Sequence, residues 1–255
     1  MFTPAITPDL LLQLQPQLDA VAERAARLRA LGALPEAFTR SLEHKLRIEL
    51  THGSTAIEGN TLTLRETQLL IDEGITPAGN KRLREIHETL NHDRAVQCLQ
   101  RFVSSSQDIS EEGIATLHRL VMASIDDERA GTYRGERVLV TGAPVQPIRP
   151  ERVPEEMQEL CQWIGSAALD PVLIAGEAHY RFVKIHPFYD GNGRTARLLM
   201  NWILLRHGLP LTVIPAELRA RYITSIDEAD SGRPLAFFQL LCECVANSLD
   251  QYLAV

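Results

Sequence analysis

The chain has 255 residues, 45% of them hydrophobic and 23% charged, and carries a net charge of −7 at neutral pH; this is ordinary globular composition, with length enough to bury a sizeable core. The acidic balance excludes a broad nucleic-acid or anionic-membrane surface, since both need an excess of Lys and Arg, and leaves room only for a local basic pocket. No run approaches the roughly 18 apolar residues of a membrane span, because Asn201 breaks the longest candidate, Leu198 to Leu205, and Met1-Phe2-Thr3-Pro4 lacks the basic patch and apolar run of a signal peptide.

Helical periodicity dominates, and the expected class is all-α. Stretches 8–31, 35–53 and 82–103 read as helices, with Pro16 kinking or delaying the first. Thr63-Leu64-Arg65-Glu66 reads as a capping box opening another helix. Gly74 to Gly79, with Pro77, reads as a loop and the internal boundary, separating an N-terminal helical region (1–75) from a core (76–255). Ser110 is an N-cap before Ile114, Leu117 and Val121. Arg137-Val138-Leu139-Val140, followed by Thr141-Gly142-Ala143-Pro144, is the one extended region and predicts a short β-hairpin; Pro147, Pro150 and Pro154 then prevent helix until Glu155. Met157, Leu160, Cys161 and Ile164 stripe a helix over 155–169, and 177–185, 194–206, 215–229 and 234–252 complete the set. The scattered Cys98, Cys161, Cys242 and Cys244 read as reduced core thiols rather than a zinc site, which with the plain N-terminus predicts a cytoplasmic protein.

The chemistry concentrates in His186-Pro187-Phe188-Tyr189-Asp190-Gly191-Asn192-Gly193-Arg194-Thr195-Ala196-Arg197. Pro187 disfavours α backbone at His186, so the string reads as a loop entering a helix N-terminus, where free N–H groups and the positive dipole end make an anion site. Gly191 and Gly193 permit close approach of an anion, and the forks of Arg194 and Arg197 suit phosphate oxygens. Asp190 is a hard ligand suited to Mg²⁺, and His186 is largely neutral at pH 7 and able to take a proton. Gly191-x-Gly193-x-x-Ala196 also matches a loose dinucleotide fingerprint, but the approach is helical rather than a buried strand.

At every fixed position the string resembles the Fic-family signature His-Pro-Phe-x-(Asp/Glu)-Gly-Asn-Gly-Arg-x-x-Arg. The resemblance implies a helical fold that transfers AMP from Mg·ATP to a hydroxyl of a target protein, or of itself. It implies His186 as the base, Asp190 as the Mg²⁺ ligand and Gly191, Asn192 and Gly193 around the α/β-phosphates. Arg194 would brace those phosphates and Arg197 would reach the γ-phosphate. The intact Gly193 favours nucleotidyl over phosphoryl transfer. Ser54-Thr55-Ala56-Ile57-Glu58-Gly59 resembles the inhibitory motif (Ser/Thr)-x-x-x-Glu-(Gly/Asn) of class II members, the animal endoplasmic-reticulum AMPylases among them. On that resemblance Glu58 would pair with Arg197 and deny it to ATP; in some class II members the same glutamate supports AMP removal. By resemblance too, Val138, Leu139 and Val140 would lie on a flap that grips the target by strand addition, and Tyr222 and Asp230 would contact adenosine. The membrane anchor, tetratricopeptide repeats and winged-helix tail of various relatives are not found in the sequence, and a homodimer is the oligomer class II members would imply. Two other classes stay open: a hydrolase with His179, His186 and Asp190 around a transition metal, and a non-catalytic nucleotide sensor, for which a retained base is unnecessary.

Overall fold

A computed structural model describes residues 6–77, 79, 81–139 and 146–254, and among these the chain folds into ten α-helices and two single 3-10 turns, with its longest connection after Met122. α1 (Pro8–Ala30) opens on Thr7, whose hydroxyl accepts the Leu10 N–H at 3.2 Å. Pro16 neither delays nor ends it, because Leu10, Leu14, Leu18, Val21 and Ala25 bury one continuous face, chiefly along α10 (Leu235–Leu253). That burial outweighs the one hydrogen bond proline removes.

α2 (Glu36–Ile57) runs past its expected end at Gly53. A Cβ at Gly53 would lie 2.5 Å from the Ile214 carbonyl oxygen, so this glycine serves close packing rather than termination. The end comes at Glu58: the Gly59 N–H returns to Ala56 O at 3.0 Å and the Asn60 N–H to Thr55 O at 3.1 Å, with Gly59 at φ 98°. That paired return is a Schellman stop, and it requires the left-handed residue glycine supplies. α3 (Leu64–Glu73) carries the expected Thr63/Glu66 capping box, and Ser110 caps α5 (Glu111–Met122) after α4 (Leu83–Ser104).

α6 is Val153–Ser166, and α7 (Pro171–Ile185) begins six residues before its expected start at Glu177, because Asp170 caps Val172 N at 2.8 Å and Pro171 takes the first turn. α8 (Asn192–Arg206) packs along α7 and is walled by α2, α4 and α5; twelve of its fifteen residues are buried, so its polar side chains must find partners inside the protein. α9 is Arg219–Asp230. The expected hairpin is not seen as a ladder: no strand forms among the described residues, Val138 and Leu139 lie in irregular backbone, and Val140 falls outside the described residues. Proline at 147 and 150 removes donors a second strand would need. Among the described residues no helix is long and apolar enough to cross a membrane, and all four cysteines are free.

Candidate active site

The loop 186–191 joins α7 to α8 and is fixed from three sides. His186 ends α7 in left-handed backbone, φ 51° and ψ 60°, a conformation that costs a non-glycine residue about 1–2 kcal/mol. Buried Arg134 holds it there. Its Nε donates to His186 O at 2.7 Å, Nη1 to Glu136 O at 2.9 Å, and Nη2 to Ile148 O at 2.5 Å and Ile185 O at 3.3 Å. His118 stacks flat on Phe188, ring centres 3.6 Å apart, and accepts the Gly131 N–H on Nδ1 at 2.8 Å. Its Nε2–H is therefore free to donate to Asp190 O at 2.9 Å, and burial pushes its pKa down to about 4. Asn192 closes the loop with both halves of its amide, accepting the Phe188 N–H at 3.0 Å and donating to Phe188 O at 2.8 Å.

The His186 ring is partly buried, with Nδ1 at 3.3 Å from Val183 O. A carbonyl only accepts, so Nδ1 carries the hydrogen and Nε2 is the basic atom. Burial lowers the ring's pKa, helped by the Arg134 charge and outweighing the upward pull of the Val183 contact, Glu58 and Asp190. At neutral pH the ring is therefore a competent base.

The N-terminus of α8 is built to meet an anion. Gly191 caps it at φ 74°, and no side chain satisfies its first N–H groups. Arg194 is 2% exposed, yet its Nε and Nη1 make no hydrogen bond; Glu88 stands 3.7 Å from Nη1 and Met122 Sδ 3.8 Å from Nη2. Buried donors left without partners cost stability, which an incoming polyphosphate would recover. Asp190 accepts the Gly191 N–H at 2.6 Å, faces Arg194 Nη2 at 3.5 Å and is hydrogen-bonded by Arg84 Nη2. Burial alone would raise this carboxyl, but Arg194, the Gly191 amide and Arg84 together pull it below the usual range. It stays ionised, as a cation ligand must.

Arg197, 1% exposed, is gripped by the end of α2. Its Nε donates to Ser54 Oγ at 3.0 Å; its Nη2 donates to Ser54 O and to Glu58 Oε1, each at 2.8 Å. Ser54 and Glu58 are four apart, so one face of α2 delivers both. The Glu58 carboxylate also covers Gly193, where a Cβ would lie 2.2 Å from Oε1. The part of Gly59 is the stop that leaves Glu58 at the helix tip.

Of the remaining residues singled out in the sequence, Tyr222 backs Arg197, while Asp230 and His179 are not brought to the loop. Tyr222 is 3% exposed, its hydroxyl at 3.3 Å from Arg197 Nη1 and 2.9 Å from His179 Nε2. Asp230 borders a cavity of about 540 Å³ shared with Lys184 and Arg233. His179 is fully buried and turned to Tyr222, so it shares no coordination sphere with His186 and Asp190. Sequence reasoning missed Arg134, His118 and Arg84 as parts of the site. His118 had a faint signal, a histidine four residues after Ile114 on a buried stripe; Arg84 had none.

A sequence model of the Fic/DOC family matches residues 108–204. The chain is 36% identical over 207 residues to the protein adenylyltransferase fic-1 of Caenorhabditis briggsae, covering 79% of this chain and 40% of that one. It is 32% identical over 260 residues to the protein adenylyltransferase fic-1 of Caenorhabditis elegans, covering 92% and 50%. It thus spans half or less of the length of these two curated relatives. A solved structure of residues 134–508 of C. elegans Fic-1 superposes with a TM-score of 0.85 at 31% identity, covering 97% of this chain and 73% of that one.

Proposed function

Since the chain belongs to the Fic/DOC family, we propose that it is a protein adenylyltransferase that moves AMP from Mg·ATP to a hydroxyl side chain of a protein, held in check by Glu58. The observation that carries this reading is the uncapped start of α8 with two buried donors on Arg194 that make no hydrogen bond, next to a loop that carries a neutral imidazole. Phosphate binding alone needs no base, which weighs against a mere sensor.

His186 Nε2 takes the proton of the target hydroxyl; the hydroxyl oxygen bonds to the α-phosphorus, the bond from that phosphorus to the β-bridging oxygen breaks, and pyrophosphate leaves. The backbone amides of Asn192 and Gly193 and the guanidinium of Arg194 hold the α- and β-phosphates, while Gly191, its own N–H given to Asp190, turns the chain around them and Asn192 spends its side chain on the loop. Arg197 takes the γ-phosphate once Glu58 releases it. Mg²⁺, held by Asp190, would screen the phosphate charge and so ease departure of pyrophosphate.

Glu58 acts by competition. A charge-assisted hydrogen bond is worth about 1.5–3 kcal/mol, which biases rather than abolishes the competent state. Its place at a helix C-terminus, where the dipole disfavours an anion, weakens the lock further. Glu58, held beside Gly193 at the mouth of the cradle, would also position a water for AMP removal as a second activity. Around this centre we place the switch in the region 1–75 and the catalysis in 76–255. Val138, Leu139 and Val140 form the target-gripping flap, the protein modifies itself as well as a protein partner, and it works as a homodimer in the cytoplasm. Nucleic acid and membrane are not partners in this reading.

The test is AMP incorporation from α-labelled ATP with Mg²⁺, into the protein and into a lysate, for wild type, Glu58→Gly and Glu58→Gly/His186→Ala. Labelling rises in the first variant and vanishes in the second; a silent Glu58→Gly chain that still binds ATP defeats the transfer reading.

A further inference from the structure

Arg197 is a buried cation with two kinds of neighbour. One is removable: among the described residues Glu58 is the one carboxylate within ion-pair distance. The other is fixed, and it is uncharged. Arg197 Nη1 lies 3.3 Å from the Tyr222 hydroxyl, which lies 2.9 Å from His179 Nε2. The direction of this chain follows from the inventory of donors. Arginine only donates, so the tyrosine oxygen accepts from it and must spend its own hydrogen on His179. Nε2 of His179 is then an acceptor, and the ring is neutral with its hydrogen on Nδ1, an atom buried without a partner. Phe237, with its ring centre 5.1 Å from that of His179, holds the ring in place. Nothing in the chain can turn round without leaving a second buried polar atom unpaired.

We infer that Tyr222 and His179 are positioning residues that aim Arg197 at the terminal phosphate of a nucleoside triphosphate, an inference that rests on the reading of Arg197 given above. Tyr222 is 3% exposed and its hydroxyl is spent on this chain, so it acts through the guanidinium rather than on adenosine. When Glu58 swings away, the guanidinium is left as an uncompensated buried charge, held by Ser54 on Nε and Nη2 and by Tyr222 on Nη1, the edge that Ser54 does not reach. That is the state an extra phosphate recognises, and it makes the pair a determinant of triphosphate over diphosphate.

The experiment is equilibrium binding of ATP, ADP and AMP by calorimetry, with Mg²⁺, on the full chain carrying Glu58→Gly. Adding Tyr222→Phe is expected to cut the preference for ATP over ADP about tenfold, the low end for a charge-assisted contact, while ADP and AMP bind as before. His179→Leu does the same. His179→Gln, whose amide oxygen can accept from the tyrosine, restores most of the preference. Equal weakening of ATP, ADP and AMP would overturn the inference in favour of an adenosine contact. So would an unchanged ATP preference in Tyr222→Phe, or equal loss in the Leu and Gln variants. Should His179→Leu not fold, Tyr222→Phe, which removes a single oxygen, decides alone. Binding is read without turnover. A Glu58→Gly chain that binds ATP but transfers no AMP therefore defeats the proposed activity and leaves this test standing; one with no preference for ATP over ADP removes Arg197 from the γ-phosphate and the inference with it.

Discussion

Two guanidinium–carboxylate contacts flank the start of α8, alike in chemistry and unlike in setting. At the Arg197 end the cation is 1% exposed, held by Ser54 twice and by Tyr222, and its anion reaches in from a helix tip. At the Asp190 end the contact is with Arg84, and both side chains are about half exposed, 53% and 47%. The two anions are similarly exposed, Glu58 at 39%, so the difference lies in the cation: burial of Arg197 shields one side of its pair from water and strengthens the Coulomb attraction, whereas pairs exposed on both sides are worth about 0–1 kcal/mol. The first contact therefore sets a state of the protein, while the second keeps the metal ligand occupied until a better cation arrives.

The contrast assumes one base serving both ends. In the Glu58→Gly background, His186→Ala should lower AMP transfer about 10²–10⁴-fold and leave calorimetric ATP binding intact; a matching loss of binding would mean the histidine also holds the cradle. Next in size, Glu58→Gly alone should raise transfer about 10- to 150-fold, and a rise below twofold would put the buried contact on a par with the exposed one. Gly193→Ala tests the same end through packing. Its new methyl meets Glu58 Oε1, so the loss of thermal stability should shrink when Glu58→Gly is also present, with a coupling of about 1 kcal/mol. Additive losses would mean that the carboxylate simply moves aside. Smallest, Arg84→Gln should lower the Mg²⁺ needed for half-maximal ATP binding by no more than about fivefold, an effect erased by 0.5 M salt. A larger, salt-resistant shift would make the Asp190 end a second lock.

What the sequence disclosed follows the reach of each interaction. The loop-to-helix motif was legible because Pro187, Gly191 and the two arginines act on backbone within a turn or two of themselves. The caps at Thr63 and Ser110 were legible for the same reason. The end of α2 was misplaced at Gly53 because that glycine answers to Ile214, distant in sequence, while the true stop at Gly59 is local and was available to be read. The pairing of Glu58 with Arg197 spans 139 residues and came from family resemblance, not from periodicity. Arg134, His118 and the His179–Tyr222 chain left little local trace, since a buried polar residue on an apolar face looks like any other interruption until its partner is known. The hairpin expected from the β-branched stretch starting at Arg137 is not shown: Val138 and Leu139 lie in irregular backbone, and the turn that would complete it falls outside the described residues.

Burial of three histidines around this site, His118, His179 and, on α4 within reach of the Arg194 and Arg197 charges, His92, has a consequence for proton balance. His92, His118 and His179 are buried, and burial above all holds their pKa values down to about 3, 4 and 3. Unfolding frees each to take up a proton near pH 6.5, so the folded chain holds fewer protons than the unfolded one below that pH. The stability these rings contribute is complete above pH 6.5 and drains away as the pH falls toward 4. Three such sites give a slope of about 4 kcal/mol per pH unit, against a total stability on the order of 5–15 kcal/mol. Urea midpoints at pH 7, 6 and 5 should fall steeply, and replacing His118 with Gln should flatten the fall by about a third. Mild acidification is thus expected to loosen the wall that holds Arg197 and Asp190, opposed in part by Asp93, Asp170 and Asp230, whose carboxyls burial pushes up.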